Sequence, residues 1–230
     1  MITRVLFAAI LAGIAAGLVM SVIQHVRVTP LILQAETFEA GPAATSSDGH
    51  DHSHGDEAWA PAAGFERTAF TFIANIVTGA AFGLVLAGAA MLTGLQITTT
   101  NGALWGLMGF LAFTLSPSAG LPPELPGMPA ADLLARQVWW WLAVAGTAAG
   151  IGLMFMIKSW GFKALGICVI ALPHIVGAPH AADTTSNVPA ALATAFAANS
   201  IATAAVFWIV LGVLLGYMLS RTVTQNEATQ

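Results

Sequence analysis

Long apolar runs alternate with short polar segments along the chain, and six of the runs approach the length of a membrane-spanning helix. A span needs about 20 mostly apolar residues, and the third and fifth runs are shorter than the others. We therefore predict an all-α, polytopic bundle in the lipid bilayer with six spans, or five if the fifth run does not cross. The runs cover residues 5–23, 70–92, 103–115, 138–157, 162–176 and 190–219.

The segments between the runs differ in character. We treat residues 1–230 as one transmembrane domain, because the pattern contains no second unit. Residues 27–68 are rich in Ala, Gly, Pro and Ser, and we expect a flexible loop there. Residues 116–137 contain five prolines, which restrict the backbone, so we expect a fixed loop over the mouth of the bundle.

Composition supports the membrane class and excludes several activities. Hydrophobic residues make up 57% of the chain and charged residues 8%, whereas soluble domains average about 25% charged residues. The single cysteine, Cys168, excludes an intramolecular disulfide and a cysteine-rich metal site. The chain has no basic stripe, Walker phosphate loop or H-E-x-x-H motif, which argues against nucleic acid binding, ATP hydrolysis and metalloprotease chemistry. We expect neither an enzyme nor a prosthetic group.

Charged residues divide unevenly between the two sides that six crossings would create. One side would hold all six histidines and ten of the eleven carboxylates, with Glu227 alone on the other. Arg4, Lys158, Lys163 and Arg221 fall opposite the histidines, and Arg27, Arg67 and Arg136 fall with them. Because cytoplasmic segments carry an excess of Lys and Arg, we predict cytoplasmic termini in a bacterial inner membrane and an extracytoplasmic histidine side.

A short tract in the first loop contains the most informative polar residues. His50, His52 and His54 alternate there, and Asp51 lies among them. Neutral imidazole together with carboxylate suits borderline metals such as Co, Ni, Cu and Zn. The tract predicts capture of a divalent metal ion, weakening as the pH falls through about 6.5, since imidazole must be neutral to ligate. The alternative is a solvated linker that happens to be rich in histidine.

Further candidates lie near the same end of the apolar runs. His174 follows Pro173 close to the end of the fifth run, where an ionisable side chain is expensive to keep and proline frees a backbone carbonyl. The alternative is an interfacial histidine bonded to water or to a carbonyl. A metal site at the bundle mouth would also draw on His25, Glu36, His180 and Asp183, although the last two are ordinary loop residues unless a metal recruits them. Glu124, between prolines, is a candidate gate or contact residue, or else a surface carboxylate.

Small residues four apart occur in five of the runs and allow close approach of helices in lipid. They predict a tight bundle, or association with a membrane partner or a second copy of the chain. The pairs are Gly13/Gly17, Gly79/Gly83, Gly102/Gly106, Gly146/Gly150 and Gly212/Gly216. Aromatic residues near the run ends, Trp105, Trp139, Trp140, Trp141, Trp160 and Tyr217, are expected to form interfacial belts.

Several segments together resemble the CbtA family of bacterial membrane proteins. They are PLILQAE at 30–36, GFERT at 64–68, GLPPELPG at 120–127, RQVWW at 136–140, and LPH at 172–174 with GAP at 177–179. The resemblance implies a predicted cobalt transporter subunit that is associated with cobalamin synthesis and works with CbtB, a small single-span partner bearing histidine. Members of the family are usually described with five spans.

These observations predict uptake of a divalent transition metal, with cobalt as the substrate that the resemblance implies. The outer tract would capture the ion and pass it to a mouth site built from His174, His25 and His180. Nickel and zinc fit equally well, because selectivity between such ions depends on geometry. The alternative is an accessory subunit that binds metal outside and presents it to another permease.

Overall fold

The computed structural model describes residues 2–39 and 61–227, with side chains described as far as Arg221. These residues form seven helices and no strand, which confirms the predicted all-α bundle. The helices are α1 (Ile2–Arg27), α2 (Thr29–Glu39), α3 (Phe65–Thr93), α4 (Gly102–Gly120), α5 (Leu133–Met156), α6 (Trp160–Val176) and α7 (Ala190–Glu227).

Five of these helices, α1, α3, α4, α5 and α7, are long and apolar enough to cross a membrane. Helix α6, the predicted fifth run, has 17 residues and is about 25 Å long at about 1.5 Å per residue, short of the roughly 30 Å hydrocarbon core. It nevertheless packs antiparallel along α5, since Gly166 contacts Gly150 and Pro173 contacts Trp139. The ends of α6 therefore lie at the same two ends of the bundle as those of α5.

The predicted flexible loop is shorter than expected. Within residues 27–68, the segment Thr29–Glu39 is helical and α3 already begins at Phe65, so the prediction is wrong at both ends of the segment. Pro30 stands in the first turn of α2, where its missing N–H breaks no helical bond. Ala35 is fully buried against a cluster that includes Leu125 and Phe196, and this burial holds α2 on the bundle. Residues 40–60 lie outside the described residues.

The proline-rich loop is also shorter than expected. Helix α4 continues through Ser116–Gly120 and α5 begins at Leu133, so the loop covers 121–132 instead of 116–137. A π-helical turn over Leu111–Leu115 precedes Pro117 and places this proline in the first turn of the segment that follows. Because Leu115 and Ser116 are themselves helical, Pro117 lies inside α4, where its missing N–H removes a helical hydrogen bond, and a wider π turn just before it is the kind of local adjustment that accommodates such a loss.

The predicted glycine pairs are confirmed as helix contacts within the chain. Gly13 and Gly17 of α1 meet Gly79 and Asn75 of α3 so closely that a Cβ at Gly13 would overlap the Gly79 carbonyl. Gly83 of α3 meets Ala9 in the same crossing. Gly102 and Gly106 of α4 meet α7 around Gly212 and Gly216, and Gly146 and Gly150 of α5 meet α6. Close backbone approach is what small residues contribute in lipid.

Aromatic side chains fill the centre of the bundle. Trp208 of α7 is 2% exposed, its ring lies 5.6 Å from that of Phe113 in the π turn, and its Nε1 donates to Thr114 Oγ1 at 3.2 Å. Trp105 and Trp139 are buried as well, at 9% and 5% exposure. These two tryptophans therefore do not face lipid as a belt residue would, and the Trp139 ring packs against Gly120.

Candidate functional site

The described histidines all lie at one end of the bundle, which we call the histidine end. Here α1, α4 and α6 finish and α3, α5 and α7 begin. The helices are joined at this end by three contacts: Arg27 of α1 with Asn199 of α7, Glu36 of α2 with Arg67 of α3, and Ser116 of α4 with His174 of α6. His25, His174 and His180 lie here with the described carboxylates except Glu227. Among the described residues, the histidines and almost all the carboxylates therefore lie at one end of the bundle, as the predicted crossings require.

A polar cleft of about 220 Å³ opens at the histidine end between α1, α2, α3 and α7. Its lining mixes hydroxyl, amide, imidazole and guanidinium groups with apolar side chains. The lining residues are Ser21, Gln24, His25, Val28, Thr29, Ile32, Arg67, Thr68, Thr71, Phe72, Phe196 and Ser200. Gln24 and His25 lie three and four residues after Ser21, one helical turn along α1, so each is a neighbour of Ser21 on the helix surface.

A hydrogen-bond network with a fixed direction forms the floor of the polar cleft. Ser21 is fully buried, and its Oγ donates to the Gly17 carbonyl at 2.8 Å. Since the hydroxyl proton is used there, Ser21 accepts from Asn75 Nδ2 at 3.1 Å. The second Asn75 proton goes to Gln24 Oε1 at 2.6 Å. Ser21 therefore determines which way the Asn75 amide points, and Asn75 in turn orients Gln24.

Two polar contacts join the helices that line the polar cleft. Arg67 Nη1 of α3 donates to Glu36 Oε1 of α2 at 2.7 Å, with the two side chains 36% and 33% exposed. Arg27 Nε of α1 donates to Asn199 Oδ1 of α7 at 3.3 Å. At such exposure an ion pair contributes at most about 1 kcal/mol. Glu36, a predicted metal ligand, is therefore paired with Arg67, and the pair is weak enough for Glu36 to separate from Arg67.

His174 lies in a second polar centre, between α4, α5 and α6. Its Nε2 is 3.0 Å from Ser116 Oγ, which accepts from Thr147 Oγ1 at 2.7 Å. Trp139 packs edge-on against the imidazole at 5.5 Å between ring centroids and donates through Nε1 to the Pro173 carbonyl at 3.1 Å. Because Ser116 already accepts the Thr147 proton, its own proton is free for Nε2. This centre contacts other helices than His25 does, so His174 and His25 are not brought together.

The remaining predicted residues lie in loops at the histidine end. His180 is exposed. Asp183 accepts from the Thr185 backbone N–H at 2.9 Å, and this hydrogen bond, aided by the Thr185 side chain, holds the pKa of Asp183 below its ordinary value of 3.8. Glu124 Oε2 is paired with Arg136 Nη2 at 2.9 Å. His50, His52, His54 and Asp51 lie outside the described residues, and metal capture by that tract stays a prediction.

The predicted mouth site is not assembled from the histidines and carboxylates of residues 2–39 and 61–227. Within these ranges no three His, Cys, Asp or Glu side chains come together as a ligand set. The polar cleft is lined instead by Ser21 and Gln24, which both accept hydrogen bonds from Asn75, and none of the three belongs to a sequence motif. Their signal was present, since each is a lone polar residue next to or within an apolar run, and such residues in membrane helices are commonly functional.

Comparison with known proteins adds a family. No curated protein and no solved structure matches the chain. The model of the CbtA family, described as a probable cobalt transporter subunit, matches residues 2–220, which is nearly the whole of the described fold. The chain therefore belongs to the CbtA family.

Proposed function

We propose that this chain is the membrane subunit of a cobalt uptake system and that the histidine end faces the outside of the bacterial inner membrane. The observation that carries the proposal is the gathering of the described histidines at one end of a multi-pass bundle, where the polar cleft opens. The orientation is supported by Arg4, Lys158, Lys163 and Arg221 at the opposite end, following the positive-inside rule. The family description, a transporter subunit, names a role that is not enzymatic.

In the proposed route, Co²⁺ is the substrate and meets the tract of His50, His52, His54 and Asp51 first. An acidic outer surface raises the local concentration of cations, and imidazole with carboxylate suits Co²⁺, Ni²⁺ and Zn²⁺. The ion then moves to the bundle itself, and we propose that it passes the polar cleft and His174, two polar centres at the histidine end. We propose cobalt as the physiological ion on the strength of the family.

The test is cobalt accumulation by intact cells at limiting external cobalt. Replacing His50, His52 and His54 together by Ala should lower accumulation, and the loss should shrink as external cobalt rises, because capture matters most when the ion is scarce. The matched control replaces Thr45, Ser46 and Ser47 by Ala, which changes the same segment without removing imidazoles. Unchanged accumulation in the histidine variant would refute the capture step, and unchanged accumulation after His174→Ala would remove His174 from the route.

A second candidate function is that of an accessory subunit that binds metal outside and hands it to another permease. Two features favour it: the family description names a subunit, and the backbones of Gly13 and Gly79 touch beneath the floor of the polar cleft. A single-span partner of the CbtB type, or a second copy of the chain, would then complete the pathway. Cobalt influx into liposomes that contain only the purified chain separates the two functions, because the accessory role allows none.

A further inference from the structure

The helices pack as two groups that share few contacts. In the first group, α1 packs on α3 and α7, α4 packs on α7, and α2 contacts α1 and α7. The second group is the α5–α6 hairpin, whose two helices meet closely at Gly150 and Gly166. The hairpin packs against the helices of the first group mainly through residues 111–120 of α4. We call this short segment of α4 the joint.

The joint lies toward the histidine end, because it is the last part of α4 and α4 finishes there. Gly120 of the joint contacts the Trp139 ring of α5 so closely that a Cβ would overlap the ring. The first part of α4 packs instead on α7, where Gly102 and Gly106 meet the α7 backbone. The hairpin is therefore held near one end of the bundle, while the rest of α4 belongs firmly to the first group.

The backbone of α4 is irregular within the joint. Residues Leu111–Leu115 form the π turn, and Pro117 follows directly, so the helix loses one of its regular hydrogen bonds there. Prolines and π turns are the usual places at which a helix kinks, and π turns occur frequently at functional sites. The segment that holds the hairpin is thus also the segment of α4 that bends most easily.

Two hydrogen bonds attach the hairpin to the joint. Ser116 Oγ of α4 accepts from Thr147 Oγ1 of α5 at 2.7 Å and lies 3.0 Å from His174 Nε2 of α6. Thr147 is 3% exposed, so water does not readily replace Ser116 as its partner. An interhelical hydrogen bond in a membrane protein changes an equilibrium by about threefold on average. Two such bonds favour one arrangement of the hairpin and can still break and form again.

We infer that the α5–α6 hairpin moves as a rigid body against the other helices by bending of the joint, and that the bonds of Ser116 to Thr147 and His174 latch it in the arrangement described above. Many transporters open a route by rocking one rigid part of the bundle against another. Movement here separates α4 from α6 and exposes the His174 imidazole. Only this use of the movement, to admit the ion, rests on the proposed function.

The experiment measures distances between two spin labels on the purified full chain by pulsed electron paramagnetic resonance. Cys168, the single cysteine, is first replaced by Ala, and cysteines for labelling are then introduced at exposed positions of the end opposite the histidines. Leu92→Cys with Lys158→Cys, the hairpin pair, reports the distance from α3 to the hairpin. Leu92→Cys with Leu6→Cys, the reference pair, reports the distance from α3 to α1 within the first group.

Ser116→Ala removes both bonds of the latch. We expect the population of the moved hairpin to rise about tenfold, since each bond accounts for about threefold, and the distances of the hairpin pair to shift or broaden accordingly. The distances of the reference pair should stay as they are. The matched control is Ser21→Ala, which removes a bond of the same kind, from Asn75 at 3.1 Å, inside the first group. It should leave the distances of the hairpin pair unchanged.

Three results would overturn the inference: hairpin-pair distances that do not respond to Ser116→Ala, equal responses of both label pairs, or the same response to Ser21→Ala. If Ser116→Ala does not fold, Thr147→Val replaces it, because valine has a similar shape and removes one bond, with an effect of about threefold. Failure of the proposed function is a separate result. Cells with the unaltered chain would then accumulate no more cobalt than cells without it, whereas the distance measurements require no transport.

Discussion

The crossing of α1 and α3 can be tested with two glycines of the same helix. Gly79 lies against the backbone of Gly13, where an added methyl group would overlap the Gly13 carbonyl, whereas nothing lies within 4 Å of a methyl group at Gly88. The changes Gly79→Ala and Gly88→Ala are chemically identical and both fall inside α3. Any difference in the free energy of unfolding between the two variants therefore measures the effect of the contact between α1 and α3.

We expect Gly79→Ala to lower the free energy of unfolding by about 2–3 kcal/mol. Overpacking of a tight contact costs about 1–3 kcal/mol, and here the obstacle is backbone, which cannot rotate away. Separating the helices would also weaken the bond from Asn75 to Ser21, and interhelical hydrogen bonds in membranes average about 0.6 kcal/mol. Gly88→Ala should stabilise the protein slightly, by up to about 1 kcal/mol, because alanine favours the helix over glycine.

The free energy of unfolding of both variants and of the unaltered chain can be measured on purified protein in mixed micelles. Sodium dodecyl sulfate unfolds the protein, and the loss of helical circular dichroism reports the unfolding. Gly79→Ala should unfold at lower detergent fraction and Gly88→Ala at the same or a higher one. If the two variants differ by less than about 0.5 kcal/mol, the backbone contact between α1 and α3 does not have the closeness on which the reasoning depends.

Three further predictions concern other parts of the bundle. Trp208→Phe should destabilise the protein by about 2 kcal/mol in the same assay, because the bond to Thr114 is lost and the smaller ring leaves a gap; an effect under about 0.5 kcal/mol would contradict central packing. Glu124→Gln should cost less than about 1 kcal/mol, since the pair with Arg136 is partly exposed, and should leave cobalt accumulation unchanged unless Glu124 is a gate. The Asp183 carboxyl should titrate below 3.8 by carbon-detected NMR; its lowered pKa contributes stability above that pH, which is lost as the pH falls through the folded-state value.

The candidate site was only partly accessible from the sequence. His174 stands out in the sequence because an ionisable group near membrane depth is rare, and the bundle does place it in a polar centre, with Ser116 and Thr147. Its predicted association with His25 does not occur, because the two residues belong to helices that face different neighbours. Asn75, Gln24 and Ser21 stand out in the sequence only as isolated polar residues in apolar surroundings, since a single amide or hydroxyl carries no motif until its partners on another helix are known.

Hydropathy and glycine spacing by themselves determined that the chain is a multi-pass helical bundle, roughly where each of the six apolar helices lies, and which end holds the histidines. These properties follow from local physics: lipid requires every backbone group to be bonded within its own segment, and four-residue spacing places small residues on one helix face. The tertiary structure alone decided which faces meet, that α2 covers one side of the polar cleft, and that Asn75 orients Gln24 across two helices. Those facts depend on contacts between residues distant in the chain, such as the 51 positions that separate Gln24 from Asn75, and no local pattern encodes a pairing of that kind.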